Sequence, residues 1–141
     1  MKKSLIAFMM LAIATTGFAQ SEKFTKAMTT NLALIDSAKT PDDMLAVSAS
    51  FERIAEAEKT QWLPYYYAAL ATVNMGYSMM DNSMSGDASK IDPVTDKAEA
   101  LLMQAEALNK NNSEIYVVKK MINSLRMIVD PQNRYMLYAP V

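Results

Sequence analysis

Apolar residues recur three or four positions apart along most of the chain, a spacing typical of amphipathic α-helices. The clearest stretch runs from Asp92 to Val118, and its apolar positions are Val94, Ala98, Leu101, Leu102, Ala105 and Leu108. Asp92 followed by Pro93 is a helix-start signal, because Asp can cap free N–H groups and Pro lacks only an N–H that is unpaired in the first turn. The pattern therefore predicts a helix over residues 93–109 that Asp92 caps.

Polar breaks divide the rest of the chain into further helices. Thr40-Pro41-Asp42-Asp43 has the sequence of a capping box, which predicts a helix over 41–58. Other apolar stripes predict helices over about 21–39, 62–80 and 113–129, the last after the polar break Asn109 to Ser113. Because the connections are short, neighbouring helices are expected to fold back on each other. The prediction is an all-α chain of about five helices.

The helix predicted at 62–80 is rich in aromatic residues. Its large apolar stripe consists of Trp62, Tyr66, Ala69, Leu70, Val73 and Tyr77, and a neighbouring line shrinks through Tyr65, Ala68, Thr72 and Gly76. Small residues on a helix surface allow another helix to approach closely. We interpret the aromatic triplet from Tyr65 to Tyr67 as packing rather than a ligand site, because aromatic residues dominate ordinary cores.

Composition indicates one globular domain, with 51% hydrophobic and 21% charged residues. Lys and Arg total 14 against 15 Asp and Glu, so the net charge of −1 gives no basic surface for nucleic acid. Cysteine and histidine are absent, which excludes disulfides, thiol nucleophiles and zinc–thiolate sites and removes the commonest general base. No Gly-rich phosphate loop exists, and we expect no cofactor.

The N-terminus has the pattern of a secretory signal peptide. Lys2 and Lys3 precede an apolar run, and Gly17 and Ala19 place small residues before a cleavage point. An apolar run of about ten residues is too short for a stable membrane span. Residues 1–19 are therefore predicted to be removed after Ala19, leaving 20–141 as a periplasmic or secreted helical domain. The ending Phe18-Ala19-Gln20 resembles the signal peptides of Bacteroidetes-type bacteria.

An internal repeat appears when the chain is shifted by 51 residues. The shift places Val47 on Ala98, Phe51 on Leu102, Ile54 on Ala105 and Tyr65 on Tyr116. Helix, polar turn and helix thus occur twice in register. A unit that recurs in this way usually cannot bury its apolar face alone and stacks on its neighbour.

At these positions the chain resembles the tetratricopeptide repeat family. The matching positions are Ala98, Leu102, Ala105 and Tyr116 in one copy, and Tyr65, Ala68, Ala69 and Gly76 in the preceding first helix. Lys110 replaces the family's turn Pro, Lys120 replaces a small residue, and the connection 81–91 lengthens the unit beyond the family's 34 residues. The resemblance covers roughly residues 41–126.

The resemblance implies an α-solenoid, a right-handed array of antiparallel helix hairpins whose concave side binds another protein. Carried over by position, the partner-binding residues are Tyr66, Leu70, Asn74, Val117, Met121 and Ser124. The function expected from it is an exported, non-catalytic scaffold with a protein or peptide partner. No enzyme activity, nucleic-acid partner or stable membrane span is expected.

Two alternatives remain open. The segment 81–92 has the oxygen-ligand spacing of a calcium-binding EF-hand loop, with candidate ligands at Asp81, Ser83, Ser85, Asp87 and Asp92. Against it, Ala88 stands where a branched apolar residue is usual, and such residues also make ordinary turns. The second alternative is a hydrolase with paired carboxylates, although no acid lies in an apolar run that raises its pKa.

The C-terminal segment repeats the helix-start signal at Asp130-Pro131. Tyr135, Leu137 and Tyr138 are apolar enough to be buried, yet no polar capping helix follows them, and terminal repeats of stacked arrays need a polar outer face. The hypothesis is therefore that the chain is C-terminally incomplete or forms a homo-oligomer through this end.

Overall fold

The computed structural model describes residues 22–80 and 86–139. Within them the chain is 84% helix in six helices without a strand, so the all-α prediction is confirmed. The helices are α1 over 22–37, α2 Pro41–Ala57, α3 Trp62–Ser78, α4 Ala88–Leu108, α5 Ser113–Ile128 and α6 Pro131–Tyr138. The predicted signal peptide, residues 1–19, lies outside the described residues.

Local capping explains where α2 and α5 begin. The Thr40 hydroxyl accepts a hydrogen bond from the Asp43 N–H at 3.1 Å, and the Asp43 carboxylate accepts one from the Thr40 N–H at 3.0 Å. This reciprocal pair is the predicted capping box. Asn112 caps α5 by accepting from the Glu114 N–H at 2.9 Å. These starts follow from residues adjacent in sequence.

The prediction that the fourth helix begins at Asp92 and Pro93 is wrong. The helix α4 begins at Ala88, and its cap is Asp87, whose carboxylate accepts a hydrogen bond from the Ser89 N–H at 2.9 Å. The additional turn buries Ile91, which is 1% exposed. Burial of this side chain offsets the backbone hydrogen bond that Pro93 cannot donate from inside the helix.

Hydrogen bonds and ion pairs give the helix directions. The Ser48 and Thr72 hydroxyls lie 2.8 Å apart, and the Tyr65 hydroxyl donates to the Ala55 carbonyl at 3.4 Å, so α2 and α3 run antiparallel. Helices α4 and α5 also run antiparallel. Lys119 pairs with Glu106 at 3.2 Å near one end of the two helices, and Arg126 donates to Thr95 at 3.1 Å near the other end.

Helix α3 lies at the centre of the packing, in contact with α2, α4 and α5. It runs parallel to α5, because Tyr77 donates to the Met121 carbonyl at 2.9 Å while the charge of Glu114, at the start of α5, acts on Tyr66 near the start of α3. An ion pair of 2.7 Å between Lys97 and Glu52 links α4 to α2. Helical pairs therefore lie side by side.

Two apolar clusters form the core on opposite sides of α3. The larger, here called the C-terminal cluster, contains Ala69, Val73, Ile91, Ala98, Leu102, Ala105, Ile115, Val118, Ile122 and Leu125. The smaller, the N-terminal cluster, contains Met28, Val47, Phe51, Ala68 and Ala71. Leu101 packs against both clusters. Helix α6 contributes no residue to either one.

The last helix contradicts one expectation. Tyr135 and Leu137 are 59% and 73% exposed, although the sequence predicts that they are buried. The reason is that α6 contacts the other helices through Arg134 and Tyr138, which lie one turn apart and leave Tyr135 and Leu137 outside the contact.

Among the described helices, none has both the length and the apolar composition needed to cross a membrane.

Gly76 permits a close approach between α3 and α5. A Cβ atom added at this position would lie 2.5 Å from the Leu125 Cδ2 atom and 3.3 Å from the Val94 Cγ1 atom, and Leu125 is fully buried. Earlier on the same line of α3, Ala68 and Thr72 are buried, with the Thr72 hydroxyl at the Ser48 hydroxyl of α2. The shrinking line of side chains is thus used for close helix packing.

We expect Gly76→Val to lower the free energy of unfolding by about 2–3 kcal/mol, because the added methyl groups overlap side chains that cannot move away in a close-packed core. Urea denaturation of the purified protein measures this. Ala100→Val, at an exposed site in the interior of α4, is the matched control and should cost only the helix-propensity difference of about 0.5 kcal/mol. Equal effects of the two substitutions would contradict the packing explanation.

Candidate functional site

An exposed stripe on α5 borders a shallow depression in which predicted binding residues meet. Tyr116 and Val117 are 47% and 59% exposed, and the half-buried Met121 and Ser124 continue the stripe one turn at a time. With Tyr77 of α3 and Lys120 of α5, they line a depression of about 380 Å³. Apolar side chains kept at a rigid helix surface are suited to contact with another apolar surface.

Three of the six predicted partner-binding residues, Val117, Met121 and Ser124, lie together in this depression. The three on α3 do not line it. Tyr66 and Leu70 pack against the C-terminal cluster, and Asn74 is half-buried.

Aromatic packing explains the position of Tyr66. Its ring centroid lies 5.6 Å from that of Trp62 and 5.0 Å from that of Tyr67, both in edge-to-face geometry. The Tyr67 ring in turn stacks on Phe51 at 5.3 Å. These rings connect α3 to α2, as the packing interpretation of the aromatic triplet expects.

Hydrogen bonding fixes the floor of the depression. The Tyr77 hydroxyl is committed to the Met121 carbonyl, so its ring rather than its hydroxyl is available at the surface. Burial raises the pKa of Tyr77, and burial together with the nearby charge of Glu114 raises the pKa of Tyr66. Both tyrosines stay neutral at physiological pH. Lys120 is the single charged residue of the lining, which otherwise offers apolar and hydroxyl groups.

Tyr77, Tyr116 and Lys120 belong to the depression but are not among the residues predicted from the sequence. Tyr116 and Lys120 lie one turn apart on α5, as do Val117 and Met121, so the two pairs form neighbouring lines on the helix surface. The positions of Tyr116 and Lys120 could therefore be predicted from helix periodicity. The contribution of Tyr77 could not be predicted from the sequence, because it depends on how closely α3 and α5 approach.

A second polar group surrounds Arg126, which is only 7% exposed. Its guanidinium pairs with Asp96 at 2.6 Å and Glu99 at 2.9 Å, and its Nε donates to the Thr95 hydroxyl at 3.1 Å. Burial lowers the pKa of Arg126, but the hydrogen bonds to Glu99 and Asp96 together with their negative charges outweigh burial and raise it. Because these partners all lie on α4, the group acts as a cross-link between α4 and α5.

Asp92 forms the neighbouring ion pair. Its two carboxylate oxygens accept hydrogen bonds from Arg134 of α6 at 2.6 and 2.8 Å. The hydrogen bond from Arg134 is the main reason that the pKa of Asp92 falls below its usual 3.8, and burial opposes it. This interaction therefore stabilises the folded protein above that pH and is lost as the pH falls through the lowered pKa.

The calcium hypothesis involves residues with other partners. Asp81, Ser83 and Ser85 lie outside the described residues. Asp87 accepts hydrogen bonds from the Ser89 N–H and hydroxyl, and Asp92 is held by Arg134 as above. In segments 22–80 and 86–139, no three acidic side chains are grouped closely enough to hold a metal ion.

Three carboxylates have pKa values that differ from their usual range. Asp43, Asp87 and Asp92 have lowered pKa values, chiefly because each accepts hydrogen bonds. A general acid near neutral pH needs the opposite shift.

Comparison with known proteins gives no match to a family model, a curated protein or a solved structure. Function must therefore be inferred from the chain's own residues.

We expect Arg126→Met to cost about 1–2 kcal/mol in urea denaturation, less than the 3–5 kcal/mol typical of breaking a buried pair. The reason is that the carboxylates left behind, Asp96 and Glu99, are 72% and 40% exposed and remain hydrated. Met also keeps most of the apolar stem. Arg126→Ala is the comparison and should cost about 3 kcal/mol, because the stem is lost as well. A cost above about 3 kcal/mol for Arg126→Met would contradict this view of the cross-link.

We expect millimolar calcium to leave the thermal midpoint unchanged to within about 1 °C, with magnesium at the same ionic strength as the control. A cation at the candidate loop must displace the Arg134 guanidinium from Asp92 and the Ser89 donors from Asp87. Binding at 100 times the dissociation constant would add about 2.7 kcal/mol and raise the midpoint by several degrees. A calcium-specific rise of that size would restore the EF-hand alternative.

Proposed function

We propose that this protein is an exported helical scaffold that binds a protein or peptide partner and carries out no catalysis. The observation that supports it most directly is the depression on α5, where Tyr116 and Val117 are exposed beside Met121 and Tyr77. Partner surfaces typically combine such aromatic and aliphatic side chains with a polar edge, here Lys120 and Ser124.

The helix directions support a tetratricopeptide-like array as the architecture of this scaffold. Antiparallel pairs α2–α3 and α4–α5 lie side by side, with α3 parallel to α5. In such an array the same side of every second helix contributes to one continuous surface. The α3–α5 side is therefore the proposed partner-binding face, with the depression as its principal contact.

Export is proposed from the sequence of residues 1–19. The absence of cysteine is compatible with an oxidising compartment, because no thiol is present to form an unwanted disulfide. The compartment is testable by fractionating cells and sequencing the N-terminus of the purified protein, which should begin at Gln20 if cleavage follows Ala19.

The binding proposal is tested by selecting a random 12-residue peptide display library on the purified protein and measuring the recovered peptides by fluorescence anisotropy. We expect Val117→Asp to weaken them at least tenfold, because it places a charge in the apolar part of the depression. Val117 is exposed, so the substitution should leave the fold unchanged in circular dichroism.

Leu45→Asp is the matched control, since Leu45 is 46% exposed on α2 and lies outside the lining of the depression. It should leave the affinities within about twofold. Failure to recover any peptide, or peptides that bind both variants as tightly as the unsubstituted protein, would refute the proposed binding face.

A further inference from the structure

Helix α6 differs from the other helices in how it is attached. It has eight residues, none of them buried, and it belongs to neither apolar cluster. Tyr135, Met136 and Leu137 point away from the other helices and are 59%, 89% and 73% exposed. An isolated helix of this length is unstable in water, so its structure depends on its few contacts with the rest of the chain.

Those contacts are polar. Arg134 forms the bidentate pair with Asp92, 42 residues earlier in the chain, and its Nη1 also lies 3.5 Å from the Arg126 carbonyl. Tyr138 follows Arg134 by one turn of α6. The Arg126 guanidinium lies over its ring, 5.7 Å from the ring centroid. The helix therefore covers the end of the α4–α5 pair without sharing its apolar core.

We propose that α6 is a detachable cap, held on the α4–α5 pair by the Arg134–Asp92 ion pair, and that it separates as a unit while α2 to α5 stay folded. Ionic strength sets the fraction that is attached. Detachment removes the Tyr138 ring from Arg126.

The relative strength of the attachments supports this separation. Arg134 and Asp92 are 22% and 38% exposed, and pairs at this depth contribute modestly and are screened by salt. By contrast, α5 is anchored by Ile115, Val118, Ile122 and Leu125, none more than 1% exposed. Local opening free energies follow such differences in buried contact, so α6 should open well before α5.

Arg126 remains held when α6 leaves. Its salt bridges to Asp96 and Glu99 and its bond to Thr95 all run to α4. Asp130, which caps α6, lies in the connection and is 3.8 Å from the Arg134 Nε. The break is therefore expected between Asp130 and the end of α5, with the α4–α5 cross-link intact.

Hydrogen exchange followed by mass spectrometry tests the proposal at 50 mM and 1 M NaCl. The amides of residues 134–139 should exchange at least tenfold faster than those in the middle of α5, and 1 M NaCl should accelerate them about fivefold further. Arg134→Gln and Asp92→Asn should each reproduce the salt effect at low salt. The double variant should add little to Arg134→Gln, which already removes the pair.

Lys119→Gln is the control, because it breaks a half-exposed α4–α5 ion pair without touching α6. Its α6 amides should exchange as in the unsubstituted protein. Protection of α6 equal to that of α5, or acceleration by Arg134→Gln that spreads evenly through α4 and α5, would overturn the proposal. The salt series on the unsubstituted protein distinguishes these outcomes even where a variant folds poorly.

Discussion

The close packing of α4 and α5 on α3 depends on the absence of a side chain at Gly76. A single Cβ atom there would overlap Leu125, a fully buried residue of α5. This close approach brings Tyr77 within reach of the Met121 carbonyl and so fixes the depression beside α5. The apolar surface that we propose for partner binding therefore lies beside a packing constraint between the same two helices.

Most of the helical structure could be predicted because its signals are local. Thr40, Pro41 and Asp43 identify the start of α2 within four consecutive residues, and Asn112 does the same for α5. Apolar spacing then fixes which side of each helix is buried, as with Ile115, Val118 and Ile122. Helix type and helix side thus follow from neighbours a few positions apart.

The errors arise where a distant residue decides the outcome. Asp92 and Pro93 have every local feature of a helix start, yet Asp92 pairs with Arg134 and the helix begins at Ala88. Its cap, Asp87, bonds to Ser89 and was an equally local signal. Arg126 is four residues after Ile122, on the apolar side of α5, and only its α4 partners explain a charge there. The candidate site follows the same division. Its α5 residues follow from helix periodicity, whereas the α3 contribution comes from Tyr77 and required the packed structure.

The two apolar clusters lie on opposite sides of one helix, which has a consequence for cooperativity. Ala68 and Ala71 of α3 belong to the N-terminal cluster, while Ala69 and Val73 belong to the C-terminal one. A rigid helix shared in this way couples the melting of both halves into a single transition. Helix α1 contributes only Met28 and its neighbours to the smaller cluster, so a chain shortened by α1 keeps the larger cluster whole. The C-terminal half accordingly holds most of the core, and among the helices that contribute to a cluster, α1 is the one whose loss should remove the least of it.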